Sequence, residues 1–317
     1  MKGPKTLYLV IPCYNEEQVL NITAETLKDK IENLKERNII SKESRILFVN
    51  DGSKDQTWSI IERLCNKNSL YQGIKLSRNE GHQNAVLAGL MTAKAYCDMA
   101  ISLDADLQDD IDVIDQFVDE YYDGNDIVYG VRSKRDADTF FKRFSAESFY
   151  KLLKSFGVEI VYNHADYRLM SKRALEGLAQ FKEVNLFLRG IVPLIGYPSS
   201  VVTYERHERF AGESKYPLKK MLSLAFDGIT SFSIKPIRMI SIVGVVSFLV
   251  SVGILVYSLI MNYLGQTITG WTSLACSIWA LGGVQLLAIG IIGEYIGKIY
   301  NETKERPKYF IETFLKN

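Results

Sequence analysis

A short acidic segment at residues 104–110, DADLQDD, carries the clearest chemical signal in the sequence. It follows an apolar run at residues 99–103 that predicts a β-strand. In an extended chain, residues two apart share a face, so Asp104, Asp106 and Gln108 can converge on one point. Oxygen ligands of this kind suit Mg²⁺ or Mn²⁺, whose coordination is completed by substrate phosphates and water. We therefore expect a divalent metal on these three residues.

The end of the same segment has a different interpretation. Asp109 and Asp110 are expected to begin the next helix, because the helix dipole favours negative charge at an N-terminus. A capping role for the whole segment is the alternative to a metal site.

Short β-rich runs alternate with helical patterns through the first half of the chain. The predicted strands are residues 7–11, 45–49, 73–76, 99–103 and 127–131. The predicted helices are residues 19–35, 57–68, 83–96 and 111–122. This alternation predicts an α/β fold, with a mostly parallel sheet covered by helices on both faces. In such sheets ligands bind beyond the carboxyl ends of the strands.

Polar loops follow the predicted strands, as that rule requires. After the second strand, Asp51 can accept a hydrogen bond from a nucleobase or ribose, while Gly52 allows a sharp turn. Turn and cap residues would explain Gly52, Ser53 and Asp55 equally well. After the third strand, residues 77–83 form a glycine-containing turn at a helix N-terminus, which favours an anion.

The C-terminal part of the chain predicts a membrane anchor. Residues 239–293 contain no Asp, Glu, Lys or Arg, and residues 239–261 and 271–293 are each long enough to cross a bilayer. The short polar link between them predicts a helical hairpin, and basic residues on both flanks place both outer ends in the cytoplasm. Two buried helices of a soluble core are the alternative. The N-terminal segment lacks a signal-peptide pattern, so the preceding domain is expected in the cytosol.

These patterns divide the chain into four parts. Residues 1–215 are expected to form the cytosolic domain, 216–235 an amphipathic helix, 236–297 the two transmembrane helices, and 298–317 a cytosolic tail. The amphipathic helix is expected to lie on the inner leaflet, with packing on the cytosolic domain as the alternative.

Overall composition excludes several classes of protein. The 317 residues include 38 Lys and Arg against 37 Asp and Glu, and 47% are hydrophobic. Neither a nucleic-acid binder that relies on bulk basicity nor a disordered chain fits these values. The four cysteines form no CxxC pair, so neither a disulfide framework nor a zinc site is indicated.

Four motifs taken together resemble a known family. VIPCYNEE, VNDGSKDQT, SRNEGHQNAVLAGL and SLDADLQDD, in that order, look like the family 2 glycosyltransferases, which have the Rossmann-like GT-A fold. More narrowly, the chain is similar to polyprenyl-phosphate glycosyltransferases such as the bactoprenol glucosyltransferases and dolichyl-phosphate mannose synthases. The resemblance implies a nucleotide-sugar donor, a polyprenyl-phosphate acceptor and Mg²⁺ or Mn²⁺ on Asp104 and Asp106, with Gln108 assisting. Two departures from the family pattern are Glu80, where an aromatic residue is common, and the pair Asp109 and Asp110.

The resemblance also implies roles for residues outside the acidic segment. The residues expected to bind the nucleotide-sugar are Pro12, Tyr14, Asn15, Glu17, Asp51, Ser53, Asn79, Asp104, Ala105 and Lys215. Arg132 and Arg135 follow the fifth strand and can meet a phosphate, because guanidinium offers bidentate donors. Arg168, in an acceptor-side motif with Asp166, is expected to join them on the acceptor phosphate. The cluster around Arg206 and Lys215 is expected to close over the diphosphate, with a solvated or lipid-facing patch as the alternative.

The expected reaction is an in-line displacement with inversion at the anomeric carbon of the sugar. Asp106, Asp166 and Arg206 are the expected catalytic residues, with Asp166 either orienting the acceptor or Arg168, or taking a proton. UDP-glucose is the favoured donor, with UDP-N-acetylglucosamine or GDP-mannose as alternatives. A homo-oligomer, and a downstream flippase and polytopic glycosyltransferase, are the further partners expected. A processive synthase is disfavoured because the chain lacks a QxxRW motif, and an inactive membrane scaffold is the alternative from another class.

Overall fold

A computed structural model of the chain describes residues 3–132, 164–183, 188–205, 235–264 and 270–316. These residues form two compact units, one containing all eight described strands and six helices, the other containing two long helices. The predicted amphipathic helix at 216–235 falls almost wholly outside the described residues.

The first unit begins with the predicted alternation of strands and helices. Its first strands are β1 (Leu7–Cys13), β2 (Arg45–Asn50), β3 (Tyr71–Leu76), β4 (Met99–Ser102) and β5 (Ile127–Arg132). The helices between them are α1 (Leu20–Glu36), α2 (Thr57–Lys67), α3 (His82–Ala93) and α4 (Val113–Tyr122). The five predicted strands and four predicted helices are therefore confirmed, with shifted boundaries.

Three more strands and two short helices complete this unit. They are β6 (His164–Ser171), α5 (Lys172–Leu178), α6 (Leu188–Leu194), β7 (Ser199–Tyr204) and β8 (Ile311–Leu315). The strand order in the sheet is β7-β5-β6-β4-β1-β2-β3-β8. Strands β1 to β4 run parallel to their neighbours among themselves, but β6 is antiparallel to β4 and β5, and β8 is antiparallel to β3. The sheet is mixed, and the expected mostly parallel arrangement holds for its first four strands.

The core of the first unit lies on both faces of the sheet. Every residue of β1 is buried, which explains its continuous apolar sequence. Helix α3 packs closely on β1 and β2 at Gly89, where an added Cβ would lie 2.3 Å from Val10 Cγ1 and 2.8 Å from Val49 Cγ2. This close approach requires glycine at position 89 and holds α3 against the two strands.

The last strand reaches the sheet from the far end of the sequence. Strand β8 pairs with β3 so that Thr313 lies opposite Lys75, and Ser77 N donates to Phe310 O at 3.0 Å. Lys75 Nζ also lies 3.0 Å from Glu312 Oε1. The expected C-terminal tail thus contains an edge strand, which the sequence analysis did not predict.

The second unit consists of α7 (Lys235–Tyr263) and α8 (Trp271–Thr303). Within the described part of the chain, one helical segment, Leu281–Thr303, is long and apolar enough by length and composition to cross a membrane. Its apolar side chains are largely exposed, and Leu286 and Ile289 are 72% and 64% exposed.

Candidate active site

A cavity of about 490 Å³ opens at the carboxyl ends of β1, β2 and β4. Because β6 runs antiparallel to β4, its N-terminal half reaches the same edge, and Arg168 lies opposite Ser102. The N-terminus of α3 and the start of α6 complete the wall. The lining residues are Pro12, Cys13, Tyr14, Glu16, Asp51, Asn79, Gly81, His82, Ala85, Asp104, Ala105, Asp106, Asp166 and Arg189.

Asp104 and Asp106 both line this cavity, as their spacing predicts. Burial, together with the charges of Asp109, Asp166 and Asp106, raises the pKa of Asp104 to about 6, although nearby His82 opposes the shift. Gln108 lies in the same loop but is buried and does not line the cavity. Among the described residues, no group of three or more His, Cys, Asp or Glu side chains is close enough to hold a metal ion. Two carboxylates are therefore what the described protein offers a cation.

Asp51 lines the cavity and at the same time braces the neighbouring loop. Its Oδ1 accepts from Glu80 N at 2.7 Å and its Oδ2 from Gly81 N at 3.0 Å. Burial raises the pKa of Asp51, although these two bonds oppose the shift. The two loops are also in close contact at Gly52, whose φ is +63° and whose added Cβ would lie 2.4 Å from Asn79 N.

Asn15, Glu17 and Ser53, which are expected to bind the donor, connect the loops after β1 and β2. Ser53 Oγ accepts from Asn15 N at 3.0 Å, and Asn15 Oδ1 accepts from Lys54 N at 2.9 Å. Glu17 Oε2 accepts from Gln56 N at 3.0 Å. None of the three lines the cavity, so their described contacts position the loop that carries Pro12 and Tyr14.

Asp166 is the centre of a charged cluster at one side of the cavity. Its Oδ1 accepts from Arg168 Nη2 at 3.0 Å and from Arg189 Nε at 3.2 Å, while its Oδ2 accepts from Arg189 Nη2 at 3.1 Å. His82 Nε2 lies 3.6 Å from both Asp166 Oδ2 and Asp104 Oδ1. Burial would raise the pKa of Asp166, but the imidazole and the two guanidinium groups outweigh it and hold this pKa well below its usual range. The same two carboxylates raise the pKa of His82 against the effect of its burial.

Arg132 and Asp109 form a second cluster beneath the acidic loop. Tyr204 Oη donates to Asp109 Oδ1 at 2.5 Å, and Arg132 Nη2 donates to the same oxygen at 3.1 Å. Asp109 is buried, and α4 begins only at Val113, so its contacts are with the ends of β5 and β7 rather than with a helix N-terminus. Arg132 does not line the cavity. The prediction that Asp109 begins the next helix is therefore wrong.

Three of the expected site residues, Arg135, Arg206 and Lys215, lie outside the described residues. Six lining residues were not among the predicted site residues: Cys13, Glu16, Gly81, His82, Ala85 and Arg189. Of these, His82 and Arg189 belong to the charged cluster around Asp166. His82 stands inside the SRNEGHQNAVLAGL motif and follows a strand, which was a usable signal. Arg189 had no such signal, because α6 brings it to the cavity from outside the strand–helix alternation.

Comparisons with known proteins identify the family of the chain. The family model of glycosyl transferase family 2 matches residues 8–178. The uncharacterized glycosyltransferase YkoT of Bacillus subtilis is 54% identical over 98% of this chain and 92% of its own length. The bactoprenol glucosyl transferase of Shigella phage SfV is 40% identical over 96% of this chain and 97% of its own. A crystal structure of glucosyl-3-phosphoglycerate synthase from Mycobacterium tuberculosis aligns with a TM-score of 0.45 and 16% identity over 72% of this chain and 79% of that one. The chain belongs to glycosyl transferase family 2.

Proposed function

We propose that the protein is an inverting glycosyltransferase that moves a sugar, preferentially glucose from UDP-glucose, onto a polyprenyl phosphate at the cytoplasmic face of the membrane. The observation that carries this proposal is a single cavity lined by Asp104 and Asp106, which can hold a metal ion, and by Asp166, which is bound to Arg189. Relatives named bactoprenol glucosyl transferase, which match nearly the whole chain, support both glucose and a lipid carrier.

The donor is proposed to lie along the loops after β1, β2 and β3. Tyr14 is 42% exposed at the cavity and offers a ring against which a base can stack, while Asp51 and Asn79 offer polar atoms to base and ribose. Asn15, Glu17 and Ser53 support this site by holding the two loops together.

Asp104 and Asp106 fit a divalent cation. Both carboxylates line the cavity, and burial together with nearby like charges raises the pKa of Asp104, so a cation at this position would stabilise its ionised form. Mg²⁺ or Mn²⁺ held there would supply charge that stabilises the diphosphate leaving group. Gln108 is buried in the same loop and is proposed to orient that loop.

Displacement at the anomeric carbon requires little base catalysis from this chain. A lipid monophosphate is already ionised at neutral pH, so its oxygen can attack without a strong proton acceptor. Asp166 is surrounded by two guanidinium groups and an imidazole, which favours an orienting role over that of a base. Arg135, Arg206 and Lys215 remain predicted phosphate ligands. Single displacement inverts the sugar linkage.

The order of the strands supports a two-span anchor. Strand β8 belongs to the same sheet as β1 to β7, although α7 and α8 precede it in the chain. A chain that leaves and re-enters one side of a bilayer crosses it an even number of times. If the apolar helix α8 crosses, α7, which is free of charge from Met239 onward, is proposed to cross as well. The catalytic unit and β8 are then proposed to lie in the cytoplasm, a location that the flanking basic residues support.

The test uses the purified full-length chain in detergent with Mg²⁺ or Mn²⁺ and undecaprenyl phosphate. Radiolabelled UDP-glucose, UDP-N-acetylglucosamine and GDP-mannose are offered in parallel. We expect lipid-linked label chiefly from UDP-glucose. Chief transfer from another donor would change the proposed sugar, and absence of label from all three with either metal would contradict the activity. A scaffold function would gain support if a variant combining Asp104→Asn and Asp106→Asn kept full biological activity. A homo-oligomer and the downstream flippase and polytopic glycosyltransferase remain predictions.

A further inference from the structure

Arg189 gives the cavity wall its permanent positive charge. Among the described residues that line the cavity it is the one lysine or arginine, and the same lining carries five carboxylates: Glu16, Asp51, Asp104, Asp106 and Asp166. A phosphate that enters the cavity away from Asp104 and Asp106, the proposed metal ligands, is therefore attracted most strongly to this guanidinium.

Asp166 fixes the direction of that guanidinium. Nε and Nη2 of Arg189 bind the two carboxylate oxygens at 3.2 and 3.1 Å, which holds the planar group along one edge. The side chain of Arg189 nevertheless stays 36% exposed. Arg168 binds the same carboxylate, but its side chain is 3% exposed and does not line the cavity. Of the two arginines on Asp166, only Arg189 can meet a substrate without moving.

The backbone next to Arg189 is held as well. Leu188 N donates to Gln83 Oε1 at 2.9 Å, and Leu188 O accepts from Arg168 Nη1 at 3.3 Å. Helix α3 and strand β6 therefore fix the start of α6 from both sides. An arginine supported at its backbone and at one edge of its guanidinium loses little conformational freedom when it binds an anion.

Resting on the proposed function, we propose that Arg189 binds the phosphate of the lipid acceptor and that Asp166 is the positioning residue that holds it. His82 lies between Asp166 and Asp104, at 3.6 Å from each, so an anion on Arg189 would be next to the proposed metal site but not on it. That separation matches an in-line reaction, in which the attacking phosphate and the leaving diphosphate lie on opposite sides of the sugar. The acceptor role expected of Arg168 thus passes to Arg189.

The test compares Arg189→Gln with Arg173→Gln in the full-length protein. Arg173 also pairs with an aspartate, Asp126, but is 58% exposed and does not line the cavity. We expect Arg189→Gln to raise the KM for undecaprenyl phosphate by about 10- to 100-fold, the effect of losing a charged hydrogen bond. The dissociation constant for the nucleotide-sugar, measured by calorimetry without acceptor, should stay unchanged, and Arg173→Gln should leave both values at the wild-type level.

A double-mutant cycle tests the positioning role of Asp166. If Asp166 acts through Arg189, Asp166→Asn should raise the acceptor KM in the wild-type background and have little further effect beside Arg189→Gln. Thermal unfolding of each variant identifies any that fails to fold, and Arg189→Lys, which keeps the charge, should recover part of the affinity.

Three outcomes would overturn the inference while leaving the function intact. The first is a wild-type KM for the acceptor in a folded Arg189→Gln variant. The second is a weaker affinity of this variant for the nucleotide-sugar, which would assign Arg189 to the diphosphate. The third is full additivity of Asp166→Asn and Arg189→Gln in the double-mutant cycle. Inactivity of the wild-type protein with every donor would instead contradict the proposed function itself.

Discussion

Asp104 and Asp106 both line the cavity, where burial and the nearby carboxylates raise the pKa of Asp104, and this arrangement fits the proposed cation. We expect Asp104→Asn and Asp106→Asn each to weaken Mn²⁺ binding by at least about tenfold, because each removes a charged ligand. Electron paramagnetic resonance of free Mn²⁺ measures this without turnover. Asp112→Asn is the matched control, since its side chain lies near the same loop but is 91% exposed. Equal Mn²⁺ binding in all three variants would place the cation elsewhere.

Gly52 joins two loops of the proposed donor site, and a methyl group there should separate them. Its φ is +63°, and a Cβ would lie 2.4 Å from Asn79 N and 2.5 Å from Arg78 C. We expect Gly52→Ala to lower stability by about 1–3 kcal/mol and to weaken nucleotide-sugar binding. Unfolding temperature and calorimetry measure the two effects.

Gly124→Ala is the control that distinguishes the steric clash at Gly52 from the strain of a positive φ. Its φ is +103°, but nothing lies within 4 Å of its added Cβ. It should cost some stability and leave donor affinity unchanged. Equal donor affinity in Gly52→Ala would show that the loop contact does not support that site.

Sequence reasoning was strongest for residues whose position depends on one strand. Asp104 and Asp106 follow β4 two positions apart, and both line the cavity. The same reasoning paired Asp166 with Arg168 but gave no sign that Arg168 would be buried. Arg189 belongs to α6, whose contact with β6 depends on tertiary packing. No local sequence pattern predicts such a contact.

At the scale of elements, α1 and α4 are joined by an ion-pair cluster on Asp115. Arg37 Nη1 lies 2.7 Å from Asp115 Oδ1, and Lys30 pairs with the other oxygen. Burial would raise the pKa of Asp115, but these two cations outweigh it and lower the pKa below 3.8. Because the folded pKa is below the unfolded one, the pairing stabilises the fold above about pH 4 and is lost as pH falls through the lowered pKa.

Asp115→Asn should therefore lower the free energy of unfolding at pH 7 by about 1–2 kcal/mol, and with it the unfolding temperature. The difference in stability from the wild-type protein should shrink toward pH 3. Thermal unfolding in detergent over this pH range measures it. Asp119→Asn on the same helix is the control, since Asp119 is exposed, and it should show no such trend. A deficit in Asp115→Asn that persists unchanged at pH 3 would mean that packing, not charge, is responsible.

The elements that sequence reasoning anticipated are those buried on both faces. Strands β1, β2 and β4 are largely apolar and buried, and their apolar runs are visible without structural knowledge. Strand β6 carries Asp166 and Arg168 within a polar cluster, so its sequence does not read as an apolar strand. Strand β7 lies at an edge and is largely exposed, and β8 follows two apolar helices, where no sheet was expected.

At the scale of the whole molecule, the proposed two-span hairpin predicts which residues lie on which side of the membrane. In a Cys276→Ser background, Leu264→Cys at the end of α7 should react with an impermeant thiol reagent added to intact cells. Lys304→Cys, just after α8, should react only after the membrane is opened. Cys13, Cys65 and Cys97 are buried and should stay unlabelled in the folded protein, which provides the internal control.

Labelling of both introduced cysteines from the same side would contradict the hairpin. It would also mean that the chain returns to the sheet without crossing the bilayer between the two positions.

The place of β8 in the chain has a consequence for biosynthesis. Translation delivers this strand after α7 and α8, so the edge of β3 has no partner while the apolar helices are being made. Until then Ser77 also lacks its acceptor, Phe310 O, at the start of the loop that leads to Asn79 and His82. A chain terminated before α8 is finished therefore lacks this support of the proposed donor loop. If α7 and α8 form the proposed anchor, its synthesis and the completion of the sheet are successive steps of one process, and a fragment released before α8 is finished lacks the strand that completes the sheet.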